Sequence, residues 1–387
     1  MIYRILKKEL LISSEQMRVI SLSGPRQSGK TTLARDTFST YKYINLENPS
    51  ERIFALQDPI SFLSDLGNGL IIDEAQRAPD LFSYIQVIVD ENPKAKFVLT
   101  GSQNFLLSNS INQSLAGRVR VLNLLPFSTL ELRSAGHKEG NLLNYIFKGG
   151  YPRLYGKNVK PNKWIPSYIQ TYLERDVRDL LRIKELYQFQ VFLQLCAGRI
   201  GQLFNYTDIS NSVGVSDNTI RHWLSLLEAS YIVYRTPPYF KNLGKRLIKS
   251  RKLYFYDTGL ACHLLGIKNE DQLFQYYNYG SLFENFIINE ITKHFTNKGD
   301  KPKIYFWRES NGLEIDLIID KGLKLLPIEI KSSKTPRTDF TKNIDKVRSF
   351  PNSSHIEEGC VIYAGDTSIG RIVSWKDLNL FLDRNAC

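Results

Sequence analysis

Charged and apolar residues mix over MIYRILKKELLISSEQ in a spacing that predicts a short helix at residues 1–16. The apolar run MRVISLSG (17–24) then ends in glycine and predicts a strand, and TTLARDTF continues as a helix. YKYINLE (41–47) predicts a second strand. NPSERIFALQDPISFLSDL is punctuated by Pro49 and Pro59, with a helix expected between them. GLIIDEAQ (69–76) gives a third strand, apolar at successive positions as a strand covered on both faces should be. DLFSYIQVIVDEN predicts a helix and KFVLTGS (96–102) a fourth strand. Strands alternating with helices imply a parallel α/β sheet with helices on both faces.

From about residue 140 this alternation stops. Residues 165–232 read as mainly helical, and strand-like pieces gather around a proline pair between 231 and 257. A helix is predicted at 280–295, then strands at IYFWRES (304–310), EIDLIID (314–320) and LPIEIKS (326–332). The expected division is therefore 1–140, 141–264 and 265–387, the last part being α/β again.

Composition adds little to the fold but narrows the class. The 387 residues are 42% hydrophobic and 23% charged, which suits a globular chain of two or three domains. No apolar run approaches the roughly 18 residues of a membrane span, and the first residues lack the apolar core of a signal peptide. Cys196, Cys262, Cys360 and Cys387 are scattered, with no CxxC pair. They read as reduced thiols of a cytoplasmic protein with no membrane partner. A net charge of +12 favours a polyanionic partner, most simply nucleic acid.

The strongest chemistry lies at GPRQSGKT (24–31), which fits GxxxxGK[ST] at every fixed position and stands between a strand and a helix. Gly24, Pro25, Arg26, Gln27, Ser28 and Gly29 would curl around a phosphate. Gly24 and Gly29 supply the backbone freedom, and the helix N-terminus at Thr32 supplies positive dipole. Lys30 brings charge to the β and γ phosphates of ATP, and Thr31 offers its hydroxyl to Mg²⁺. In LIIDEAQ, Asp73 at a strand end would hold Mg²⁺, and Glu74 would polarise the attacking water as general base. Thr100, Ser102 or Gln103 at the end of the next strand would sense the γ-phosphate. Arg118, in SLAGRVR, is either an arginine finger or a surface arginine.

GPRQSGKTTL, YINLE, DPISFL, LIIDEAQR, LTGSQNFLL, SLAGRV and LLPFSTLEL occur in this order. So do FKGGYPRLY, YLERDV, LYFYDTGLACHLLG and GSLFENFIINEI farther on. In these the chain resembles a large group of bacterial and archaeal predicted ATPases, similar to the AAA+ superfamily, with a C-terminal domain of unknown function. The resemblance covers nearly the whole chain. It implies a P-loop NTPase fold of the ASCE or AAA+ kind and an ATP-dependent enzyme, with Gly24, Lys30, Thr31, Asp73 and Glu74 at the motif positions. AAA+ proteins commonly form rings, so an oligomer is open. Sensors there are usually Asn or Thr, whereas this strand ends in Thr100, Gly101 and Ser102.

NYTDISNSVGVSDNTIRHWLSLLEASYIVYRTPPYF (205–240) reads as helix, turn, helix and hairpin, a winged-helix-like order. Gly214 permits the turn, and Ser216 is a good N-cap for a helix burying Ile220, Trp223, Leu224 and Leu227. Thr219 and Arg221 would face a DNA groove. RTPPYFKNLGKRLIKSRK (235–252) holds seven Lys or Arg and no acid, so Lys245 and Arg246 would grip phosphates. The same unit can instead pack or contact protein.

In EID (314–316) and EIK (329–331), Asp316, Glu329 and Lys331 project to one side if the strands are neighbours, because strand side chains alternate. The two carboxylates, with Glu284 from the preceding helix, could hold Mg²⁺, and Lys331 could steady developing charge. GSLFENFI, FWRESNGLEIDLII and LLPIEIKSS resemble the PD-(D/E)xK nuclease superfamily, in its Holliday-junction-resolvase-like branch, although Ile315 stands where the proline would be. The resemblance implies a nuclease-like C-terminal domain. The expectation is a Mg²⁺-dependent ATPase that moves a DNA-binding, potentially cleaving region. The alternatives are a nucleotide-dependent switch for protein partners with an inactive nuclease-like fold, and a DNA-binding regulator.

Overall fold

The computed structural model describes residues 2–102, 114–137, 141–172, 186–240, 250–309, 312–350 and 353–386. Helix α1 (Leu6–Gln16) lays Leu6 and Leu10 into the core before strand β1 (Val19–Ser23). Then come α2 (Lys30–Thr37), β2 (Lys42–Asn45), α3 (Pro49–Gln57), α4 (Pro59–Ser64), β3 (Leu70–Asp73), α5 (Leu81–Glu91), β4 (Phe97–Gly101) and β5 (Val119–Asn123). The sheet runs β2-β3-β4-β1-β5 and every neighbouring pair is parallel. Strands β1, β3 and β4 are buried at each position, which accounts for their largely apolar runs. Pro59 does not end the helical region. It starts α4, with Asp58 accepting from the Ser61 amide at 3.0 Å, because proline fits the first helical turn. Register brings Ser23, Gly101 and Asn123 to one edge, beside Asp73 opposite Asn45.

Beyond β5 follow α6 (Thr129–Ser134), α7 (Leu142–Lys148), α8 (Pro161–Tyr168), α9 (Leu186–Gly198), α10 (Tyr206–Val213) and α11 (Asp217–Ala229). Gly214 ends α10 at φ +78°, and the Thr219 amide donates to Ser216 Oγ at 3.1 Å to start α11. Ile220, Trp223, Leu224 and Leu227 are buried as their spacing predicts. Strand β6 (Val233–Thr236) pairs antiparallel with β7 (Lys252–Phe255).

Helices α12 (Thr258–Leu264), α13 (Glu270–Gln275) and α14 (Tyr279–Thr296) lead to β8 (Ile304–Arg308), β9 (Glu314–Asp320) and β10 (Leu325–Lys331). Then come α15 (Lys342–Arg348), β11 (Cys360–Tyr363), β12 (Ile372–Ser374) and α16 (Leu378–Asn385). Strands β8, β9 and β10 form an antiparallel meander, and β10, β11 and β12 are parallel. Helix α14 packs on β10, and one apolar core runs from Phe127 through the middle helices to Ala386. Among the described residues no helix is long and apolar enough to cross a membrane.

Candidate functional site

The phosphate loop leaves β1 through Gly24, whose φ is +153°. A Cβ there would lie 2.2 Å from the Leu124 carbonyl oxygen, so only glycine fits against β5. Gln27 (φ +63°) and Gly29 (φ +95°) take left-handed backbone and curl the loop. Pro25 is buried, Arg26 half-buried and Gln27 exposed. Lys30 opens α2, buried, and its ammonium donates to the carbonyls of Gly24 (3.0 Å) and Pro25 (2.9 Å). Burial pulls its pKa down to about 8, although the Glu74 and Asp73 carboxylates oppose that shift. Thr32 is exposed one residue beyond Thr31.

At the same sheet edge Asp73 is buried and collects three hydroxyls. Thr31 and Tyr43 each donate to its Oδ2 at 2.8 Å, and Thr100 donates to its Oδ1. These bonds compensate a carboxylate that burial alone would penalise. Glu74 follows in a left-handed conformation, φ +54° and ψ +44°, which costs a non-glycine residue about 1 kcal/mol or more. Its side chain is fixed at both oxygens: Ser102 donates to Oε1 at 2.7 Å and Gln76 to Oε2 at 2.5 Å. The structure thus unites Lys30, Thr31, Asp73, Glu74, Thr100 and Ser102, all singled out from sequence. Gln103 lies outside the described residues.

The residues fit Mg²⁺ and ATP. Among the described residues the fully buried Ser28 hydroxyl has no partner, and the Lys30 ammonium has only loop carbonyls as acceptors. Thr31 and Asp73 offer the hydroxyl and single carboxylate that a magnesium ion shares with phosphate oxygens and water.

Two features had no signal in the pattern. Tyr43 reaches Asp73 from β2. Arg4 is buried and spans three groups: Glu131 Oε1 (3.0 Å), the Ser28 carbonyl (2.9 Å) and the Leu125 carbonyl (2.6 Å). It ties the phosphate loop to α6. Arg26 sits 3.7 Å from Glu47 and over the Tyr172 ring, and Arg77 shares Glu47 at 3.6 Å.

Arg118 does not serve its own phosphate loop. Val119 pairs with Val19 at the start of β1, whereas the loop follows Ser23 at the other end. The Arg118 guanidinium grips both oxygens of Asp90 at 2.7 and 2.8 Å.

On α11, Arg221 is exposed and stacks 3.9 Å above the Tyr206 ring, while the Thr219 hydroxyl meets Ser216 Oγ at 2.9 Å. Lys245 and Arg246 lie outside the described residues.

In the C-terminal sheet, Glu329 and Lys331 touch on one face as their period requires, and Asp316 Oδ2 is 3.7 Å from the Lys331 ammonium. Asp316 Oδ2 also accepts the Ile330 amide at 2.8 Å. Glu284 accepts from Tyr254 at 2.5 Å and lies 3.5 Å from Lys252, which also pairs with Glu314 at 2.5 Å. Burial and the Asp316 charge push Glu284 up to about 7 and Glu329 up to about 8. Among the described residues no three carboxylate, imidazole or thiol groups converge to hold a metal ion. The Glu284, Asp316 and Glu329 trio expected as a cation site is instead bridged by lysines 252 and 331, whose charges offset the buried acids.

An AAA domain family model matches residues 16–133. Two models, each described as a domain of unknown function, match residues 139–271 (DUF8612) and 279–379 (DUF4143). The chain is 34% identical over 324 residues to the uncharacterized protein Rv2008c of Mycobacterium tuberculosis, covering 82% of this chain and 71% of that one. An uncharacterized protein of Haemophilus influenzae is 26% identical over 261 residues, 64% of this chain and 62% of the relative. Among solved structures, the Walker-type ATPase PABY2304 of Pyrococcus abyssi aligns with TM-score 0.45 and 15% identity, over 67% of this chain and 94% of that one.

Proposed function

The chain belongs to the family of the mycobacterial protein Rv2008c and carries an AAA ATPase domain at its head, and on that footing we propose a Mg²⁺-dependent ATPase that drives a DNA-handling C-terminal half. The observation that carries the reading is the pair of adjacent carboxylates, Asp73 held by Thr31, Tyr43 and Thr100, and Glu74 held by Ser102 and Gln76. Bound Mg²⁺ would neutralise charge on the transferred phosphoryl group. Thr31 and Asp73 would hold it, and Lys30 would turn its ammonium from the loop carbonyls to the β and γ phosphates. Glu74, aimed by its two hydrogen bonds, takes the proton of the attacking water. Ser102, bonded to Glu74, gives the γ-phosphate position a link to β4.

DNA as the substrate is supported by the net charge of +12 and by the helix–turn–helix at α10 and α11 with its following antiparallel pair. The order helix, three antiparallel strands, helix and parallel strand in the C-terminal sheet supports a PD-(D/E)xK-like arrangement. Lys331 beside Asp316 and Glu329 matches that chemistry. A cation there would have to take the place of the Lys252 and Lys331 ammoniums beside these acids.

ATP turnover measured alone and with single-stranded, duplex and branched DNA tests the reading. Stimulation by one DNA form and its loss in Lys30→Ala are expected. Unchanged turnover in Lys30→Ala would reject the phosphate-loop assignment. Divalent-cation-dependent cutting abolished by Asp316→Ala would establish the nuclease, and no cutting of any DNA form would leave the region a docking module.

A further inference from the structure

A cavity of about 830 Å³ opens where β5, the β6–β7 pair, α14 and β8 meet, and no phosphate-loop residue lines it. That volume is within the roughly 300–1,000 Å³ of small-ligand sites. One wall is aromatic and continuous: the Tyr231 and Tyr256 rings are 5.6 Å apart, and Tyr256 and Tyr234 are 4.7 Å apart. Tyr305 of β8 adds a fourth, half-buried ring. Thr236, only 2% exposed, lines the cavity with a buried hydroxyl that has no hydrogen-bond partner among the described residues. Among the described residues Lys301 and Lys303, exposed in the wall, join no ion pair, while Asp300 is the acid of that wall. Arg235 is occupied, its guanidinium gripping both oxygens of Glu228 at 2.8 Å.

Flat rings stack on bases, a buried hydroxyl seeks one polar edge, and free ammonium groups at the mouth attract phosphate. We propose that this cavity binds a nucleobase carrying a phosphate, either a free nucleotide or the end of a single strand. Its occupant is wired to the ATPase site through β5. Asn123, in the wall, accepts from Tyr231 at 2.8 Å and pairs in register with Ser23, the residue before Gly24. Leu125, also in the wall, gives its carbonyl to Arg4, which grips Ser28 in the phosphate loop. The inference rests on the ATPase reading only for this coupling.

Binding is therefore measured directly, by tyrosine fluorescence and equilibrium dialysis, in a Lys30→Ala chain whose phosphate loop no longer competes. The probes are adenosine monophosphate and a short 5′-phosphorylated oligothymidylate. Saturable binding of the mononucleotide identifies a free-nucleotide site, and binding of the oligomer alone identifies a strand-end site. Thr236→Val keeps the side-chain shape and should weaken binding about tenfold, the loss of one buried hydrogen bond. Lys301→Ala with Lys303→Ala should weaken it further and flatten its salt dependence. No binding of either probe, or binding unmoved by both sets of changes, overturns the proposal. With Lys30 restored, saturating ligand should change ATP turnover in the parent and less so in Thr236→Val. If turnover is absent altogether, direct binding still decides the cavity.

Discussion

Thr31 donates its hydroxyl to Asp73 across 2.8 Å, joining the end of the phosphate loop to the end of β3. The same carboxylate receives Tyr43 and Thr100, so three elements converge on one acid. Asparagine at this position would keep the shape but present a donor group to at least one of those hydroxyls. Asp73→Asn should lower ATP turnover roughly 100-fold or more and demand higher Mg²⁺, because charge at the metal is lost with the hydroxyl network. Turnover titrated against Mg²⁺ checks this, and an unshifted titration would remove Asp73 from the metal site.

Glu74 is set apart by its backbone. Its left-handed conformation is retained next to the phosphate loop, and both carboxylate oxygens are tied down. Glu74→Gln should bind ATP as before but turn over about 10²–10⁴-fold more slowly. Ser102→Ala should lie between that variant and the parent, since one of two aiming bonds remains. Single-turnover kinetics with a separate nucleotide-binding measurement distinguishes the two; equal loss of binding would place Glu74 in phosphate recognition instead.

How much of this was visible in the chain depended on distance along it. The phosphate loop, Asp73, Glu74, Thr100 and Ser102 sit in short motifs at the ends of strands whose burial on both faces makes them largely apolar. Strand β5, one of the two edge strands, carries no clear period because it buries only Leu122 fully. Strands β11 and β12 are too short for one. Arg4 was silent because its partner Glu131 lies 127 residues away and its helix looks ordinary. In the last sheet the local pair Glu329 and Lys331 was legible, but Lys252 and Tyr254, which hold Glu284 from another hairpin, were not.

Lys30 gives the site a pH signature. Its burial lowers the ammonium pKa to about 8, below the usual lysine range. The bound triphosphate favours the charged form, so above pH 8 binding must take up a proton that the free protein has released. Affinity for ATP should hold below that pH and fall up to tenfold per pH unit above it. Calorimetry in buffers of different ionisation enthalpy should register the uptake. An affinity flat from pH 7 to 9.5 would show that Lys30 stays charged in the free chain.

Arg4 joins nucleotide binding to folding. Removing its guanidinium leaves Glu131 buried and frees the Ser28 and Leu125 carbonyls. Arg4→Met should cost about 3–5 kcal/mol of stability, as broken buried pairs do. The double change with Glu131→Gln should recover part of it. Thermal denaturation with and without ATP provides the readout. A neutral single variant would mean that the loop is held by its own backbone.

Arg118 supplies a negative prediction. It lies at the start of β5, the sheet edge opposite Gly24, with its guanidinium committed to both oxygens of Asp90. An arginine finger must touch developing charge at the γ-phosphate, and this side chain faces the other end of its own sheet. Arg118→Ala should therefore leave turnover per molecule unchanged at every protein concentration. A fall that appears only where copies associate would mean that Arg118 leaves Asp90 to enter the site of a neighbouring copy. Asp90→Ala, which frees the guanidinium, should then raise turnover under the same conditions.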